Sequence, residues 1–223
     1  MNKNWNVSEI FLGFAIYYLM FSLVDVFATK LNISKDNIFL ISSIIAAITL
    51  FFILFMQLSK GSGSTKKLET TSKNNSGDFL IGIISGVILG SVVLLGVFND
   101  DKGIFSLLSV KYLRTILYPV GIINMILFFL VFVIALPIAE EMYFRGYMFP
   151  SLEKQYNLII AALITSILSS IFLSGSISFL LLFIAGLVFA FLYQKTEAVF
   201  CSMVSHMTFN LIITLLIFIK GGN

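Results

Sequence analysis

Two short runs hold most of the chemistry this sequence can offer. The first is Leu136-Pro137-Ile138-Ala139-Glu140-Glu141-Met142-Tyr143-Phe144-Arg145-Gly146, two adjacent carboxylates and a guanidinium inside apolar sequence. The second is Ser205-His206-Met207-Thr208-Phe209-Asn210, which contains the single histidine of the chain. On a helix Glu141 and Arg145 share a face at i,i+4 and can pair. Glu140 points about 100° away and needs another partner. An ion pair closing a helix end accounts for Glu141 and Arg145 but leaves Glu140 unexplained. A second carboxylate beside the first is a group able to exchange protons, which is what general acid–base catalysis requires. His206 and Asn210 are also at i,i+4 and project from one helix face. Pro137 removes a backbone hydrogen bond about one turn before the carboxylates and bends the helix there.

These groups lie in a chain built for lipid. Of its 223 residues 59% are hydrophobic and 11% charged, and the mean hydropathy is +1.04. A soluble domain carries about a quarter of its residues as charges, so this chain has too few polar side chains to face water. One integral membrane domain over 1–223 is the reading. An ionisable side chain within a span costs roughly 2.5–3.5 kcal/mol at the bilayer centre, which makes it a functional candidate by default. The net charge of +3 is spread over several loops with no basic stripe, so nucleic acid is not a partner. The lone Cys201 excludes an intrachain disulfide and a thiolate metal site.

A crossing needs about 20 apolar residues. Candidates fall at 10–28, 38–58, 79–98, 121–144, 158–173, 177–193 and 198–219, so the fold class is all-α, a polytopic bundle of about seven spans. The fifth and sixth are short and separated by Ser174-Gly175-Ser176. The first run reads as a span and not as a signal peptide, being long and carrying Asp25. Residues 59–78, rich in Ser, Thr, Gly, Asn and Lys, read as a flexible polar loop. Residues 99–120 read as an interfacial amphipathic segment. With seven spans the loops on the N-terminal side hold eight of the 14 Lys and Arg, which places the N-terminus in the cytoplasm. The excess of Ile, Phe, Lys and Asn suggests a bacterial cell membrane. Gly82, Gly86 and Gly90 form a small-residue ridge on the third span. Such a ridge serves packing inside the monomer or, less commonly, helix–helix self-association.

Glu140-Glu141-Met142-Tyr143-Phe144-Arg145-Gly146 resembles the first motif of the CPBP family, the CAAX-protease and bacteriocin-processing group, which includes the type II CAAX prenyl endopeptidases and the Abi proteins. His206-Met207-Thr208-Phe209-Asn210 resembles its last motif, His-x-x-x-Asn. Phe183 to Tyr193, with Gly186, is similar to its glycine-containing helix. The resemblance covers about 120–215. It implies a CAAX-prenyl-endopeptidase-like core with a cavity inside the membrane. In that core Glu140 would activate water and Glu141 and Arg145 would organise the site. His206 would bind the water or a metal, and Asn210 would polarise the oxyanion. The family's middle motif, Phe-x-x-x-His, is matched best by Phe172-Leu173-Ser174-Gly175-Ser176, with Ser176 in the place of histidine. Zinc normally takes three protein ligands plus water. With His206 as the one histidine ligand, zinc would be held weakly here or not at all.

The resemblance therefore implies an intramembrane endopeptidase acting on a membrane-associated protein or peptide, a metalloprotease-like hydrolase with an incomplete metal site. The alternative is a catalytically impaired relative acting as a bacteriocin immunity or regulatory protein, since fold does not fix function. A Ser176–His206 dyad rests on thin support, because membrane serines commonly bond backbone carbonyls. A transporter would need more intramembrane charge than Asp25 adds.

Overall fold

The computed structural model describes residues 7–59, 75–98, 121–171 and 179–221. Among them the chain is helical with no strand. The helices are α1 (Val7–Lys30), α2 (Lys35–Ser59), α3 (Asn75–Phe98), α4 (Ile122–Gln155), α5 (Leu158–Ile171), α6 (Phe179–Thr196) and α7 (Val199–Gly221). All but α5 are long and apolar enough to cross a membrane. At 14 residues α5 spans about 21 Å, short of the hydrocarbon thickness. The expected polytopic bundle is present. Of the expected polar loop 59–78, Ser59 ends α2 and residues 75–78 open α3, so that loop is shorter at both ends; its middle, 60–74, the interfacial segment and Ser176 with its neighbours lie outside the described residues.

Local chemistry sets the helix ends. Asn32 takes a left-handed conformation (φ 55°), and the Ile33 and Asn32 N–H groups return to the carbonyls of Ala28 and Thr29. That is the capped end in which asparagine substitutes for glycine. The Asn157 side-chain oxygen accepts from the Ile160 N–H at 2.9 Å and starts α5.

The fourth helix departs from expectation. It does not stop near Phe144 but continues to Gln155, 34 residues in all. Two stretches inside it, Phe129–Ala135 and Met142–Met148, are wound in the wider π form. Each stretch is followed by one residue and then a proline, Pro137 and Pro150. A proline ring collides with the carbonyl four residues back and has no N–H to offer. Winding the preceding turn to an i→i−5 register moves that carbonyl and lets the helix run on. The Leu136 N–H accordingly bonds the Val131 carbonyl and the Phe149 N–H the Phe144 carbonyl, both five back. The motif thus sits within a helix, not at its end.

The glycine ridge of α3 is filled from within the chain. A Cβ added to Gly86 would lie 2.5 Å from the Ser205 carbonyl oxygen, and at Gly82 and Gly90 it would meet Val204 and Ile212 at 2.9 and 2.6 Å. Without side chains α3 approaches α7 closely, and Ser85 Oγ donates to Ser205 Oγ at 2.9 Å. The ridge therefore serves packing inside the monomer, the first of the two uses foreseen for it. The face that self-association would need is occupied by α7.

Two buried clusters flank the motifs. One joins α1 and α2 to α4 through Leu50, Ala139, Tyr143 and Phe144. The other joins α2, α3, α4, α6 and α7 through Phe39, Phe132, Phe189 and Phe209. The charged residues of α4 and His206 of α7 meet at the seam.

Candidate active site

Glu141 is fully buried, Arg145 is 1% exposed, Asn210 4% and Glu140 6%. Such groups are tolerated in an apolar interior only when they satisfy one another. Glu141 Oε1 accepts from Arg145 Nη1 at 2.8 Å, as the spacing predicted, and also meets His206 Nδ1 at 3.0 Å. Arg145 Nη2 donates to the Gly186 carbonyl at 2.9 Å. Its guanidinium lies 5.5 Å over the Phe189 ring, which stacks on the His206 imidazole at 4.8 Å. The cation, the aromatic ring and the imidazole thus form one layered unit closed by Glu141.

Gly186 makes that unit possible. A Cβ there would press to 3.0 Å against Ser166 of α5, so glycine lets α5 and α6 meet at the position whose carbonyl receives Arg145. This gives a physical role to the glycine-containing helix.

Glu140 faces the other way, as its angular offset required. Its Oε1 accepts from the Tyr17 hydroxyl at 2.8 Å, and its Oε2 lies 3.8 Å from His206 Nε2. With Nδ1 against the Glu141 carboxylate, the neutral tautomer that fits is Nδ1–H, assigned from the partner. Nε2 is then turned toward Glu140. His206 keeps the largest side-chain exposure of the cluster, 13%. Asn210 sits one turn on, and its Nδ2 donates to the Phe132 carbonyl at 2.9 Å.

Four of the five expected residues, Glu140, Glu141, Arg145 and His206, meet directly. Asn210 shares the α7 face of His206 but is engaged with the α4 backbone, so an oxyanion role would have to use its second amide hydrogen. Ser176 lies outside the described residues. Sequence reading missed Tyr17, which belongs to α1, far from either motif. The signal was a hydroxyl inside an apolar span, which must find a partner there. Nothing in the spacing said which. Phe189 was hidden as one phenylalanine among 24.

Among the described residues no group of three or more His, Cys, Asp or Glu side chains is placed to hold a metal ion. Glu141 Oε1 is committed to Arg145 and His206, and Glu140 Oε1 to Tyr17. Glu140 Oε2, 3.8 Å from His206 Nε2, has no such commitment, and Glu141 Oε2 is buried with no hydrogen-bond partner among the described residues, whereas zinc normally takes three protein ligands plus water.

Comparison with known proteins agrees with the motifs. Residues 122–212 match the family described as "Type II CAAX prenyl endopeptidase Rce1-like". That segment is similar to this family. It contains Glu140, Glu141, Arg145, His206 and Asn210, whereas Tyr17 lies outside it. The "Putative membrane peptidase YdiL" of Bacillus subtilis (strain 168) is 33% identical over 81 residues, 36% of this chain and 33% of the relative. The match therefore spans about a third of that relative's length. No solved structure matches the chain.

Proposed function

We propose that the chain is an intramembrane endopeptidase that hydrolyses a membrane-associated protein or peptide with water activated by Glu140. One observation carries the proposal. Glu140 is fixed through one oxygen by Tyr17, while the other oxygen and His206 Nε2 converge at 3.8 Å. A water molecule can hydrogen-bond to both groups at that separation. Glu140 Oε2 would take its proton as the water oxygen forms a bond to the substrate carbonyl carbon. The protonated Glu140 would then return that proton to the amide nitrogen as the C–N bond breaks. Atoms balance with no further reactant, and no step passes through a metal.

The neighbours have positioning parts. Glu141 fixes the imidazole through Nδ1, and Arg145 compensates the Glu141 charge in the interior. Tyr17 limits Glu140 to one productive oxygen. The similarity over 122–212 and the name of the Bacillus subtilis relative, "Putative membrane peptidase YdiL", support the reaction class.

The test is a deletion strain complemented by wild type or Glu140→Gln at matched expression, with new peptide N-termini mapped in the membrane fraction. Cleavage products present with wild type and missing with the variant are expected. A phenotype kept by Glu140→Gln would point instead to a peptide-binding immunity or regulatory protein, because glutamine keeps the shape and removes the base.

A further inference from the structure

Asn210 is buried, and its amide donates to a backbone carbonyl on another helix. A helical carbonyl normally has its own N–H partner four or five residues ahead, so a side chain that bonds one in the interior raises the question of why it was available. The winding of α4 gives the answer. In the π stretch 129–135 the bonds run i→i−5, and the last of them joins the Leu136 N–H to the Val131 carbonyl. The next in the register would join residue 137 to the Phe132 carbonyl. Residue 137 is proline, with no N–H. The carbonyl that loses its donor is the one Asn210 Nδ2 reaches, at 2.9 Å.

We infer that Asn210 is a positioning residue that caps the Phe132 carbonyl left without a partner by Pro137, and so fixes the height of α7 against α4. Away from water an unpaired carbonyl is costly, which makes this contact a registration point. Asn210 lies one turn after His206, and Phe132 about two turns before Glu140. Capping therefore sets where the imidazole falls relative to the two carboxylates. Why that position matters rests on the hydrolytic reading above, but the cap is tested without any substrate.

The experiment is a double-mutant cycle on the full chain in nanodiscs, with Asn210→Leu, Pro137→Ala and their combination. Pro137→Ala restores a backbone N–H near the Phe132 carbonyl, so the asparagine becomes dispensable. Asn210→Leu alone should lower Tm by roughly 4–8 °C, the scale for one unsatisfied buried group in a chain of this size. Combined with Pro137→Ala, the further loss should be at most about half of that. The second readout is the imidazole signal of protein labelled with 15N-histidine, a single set because His206 is the one histidine. Asn210→Leu should shift or broaden it, and Pro137→Ala should bring it back. Equal Tm losses in both backgrounds, or no loss in either, would overturn the inference. So would a histidine signal that Pro137→Ala fails to restore. If Asn210→Leu does not accumulate, Asn210→Ser is compared in the same two backgrounds, with the same outcomes deciding. Proteolysis enters none of these measurements, so failure of the hydrolytic reading and failure of the cap remain distinguishable.

Discussion

Glu140 and Glu141 are neighbours in sequence with opposite assignments, and their partners decide which is which. Glu141 is saturated on one oxygen by Arg145 and His206. Glu140 is held at one oxygen by a neutral phenol. Tyr17→Phe should therefore leave the fold intact and let Glu140 rotate, lowering turnover by about 10–100-fold, the range for a mispositioned catalytic group. Turnover measured at matched Tm checks this. Arg145→Leu should act differently. It strands the Glu141 charge in the interior and should destabilise the protein by about 3–5 kcal/mol, read as loss of folded protein in nanodiscs. The carboxylates, Arg145 and His206 were legible in the sequence because ionisable groups in an apolar span are few. Tyr17 was not, because eight tyrosines occur and a hydroxyl's partner is fixed only when helices meet.

Among the elements, α4 and the α3–α7 pair do the positioning. Gly86 lies where a Cβ would come to 2.5 Å from the Ser205 carbonyl, which is backbone and cannot turn aside. Gly86→Leu should push α3 from α7, displace His206 one residue beyond Ser205, and remove both stability and activity. A fall in Tm of at least about 5 °C is expected, the scale of an overpacked contact. The glycine spacing showed that a close helix contact exists, and only the packed structure shows that the partner is α7. Pro137 was legible as a bend, but its consequence was not. The sequence suggested a span over 121–144, because a crossing needs only about 20 apolar residues and the apolar run gives way to charge at the motif. The π stretches absorb both prolines, and a change of register leaves no signature in hydropathy.

At the scale of the whole molecule, the order of helices brings α1, which lies before the matched residues 122–212, to Glu140. The spans themselves were legible because about 20 apolar residues have few other uses. The packing order was not, since lipid-facing and buried apolar positions look alike in a chain where both are hydrophobic. Helices α1 to α4 crossing in turn place Asn32 and Asn157 on opposite sides. Cysteines introduced there, in a Cys201→Ser background, should be labelled by an impermeant thiol reagent from opposite faces of sealed vesicles. Labelling of both from one face would contradict the arrangement. The most direct test of the central claim is hydrolysis by the reconstituted chain. Wild type and Glu140→Gln, matched in Tm, would be incubated in proteoliposomes with a library of membrane-spanning peptides in 18O-water. New carboxyl termini carrying 18O are expected with wild type, and a loss of at least about 100-fold with Glu140→Gln, within the range for removing a general base. Equal product from both proteins would contradict it.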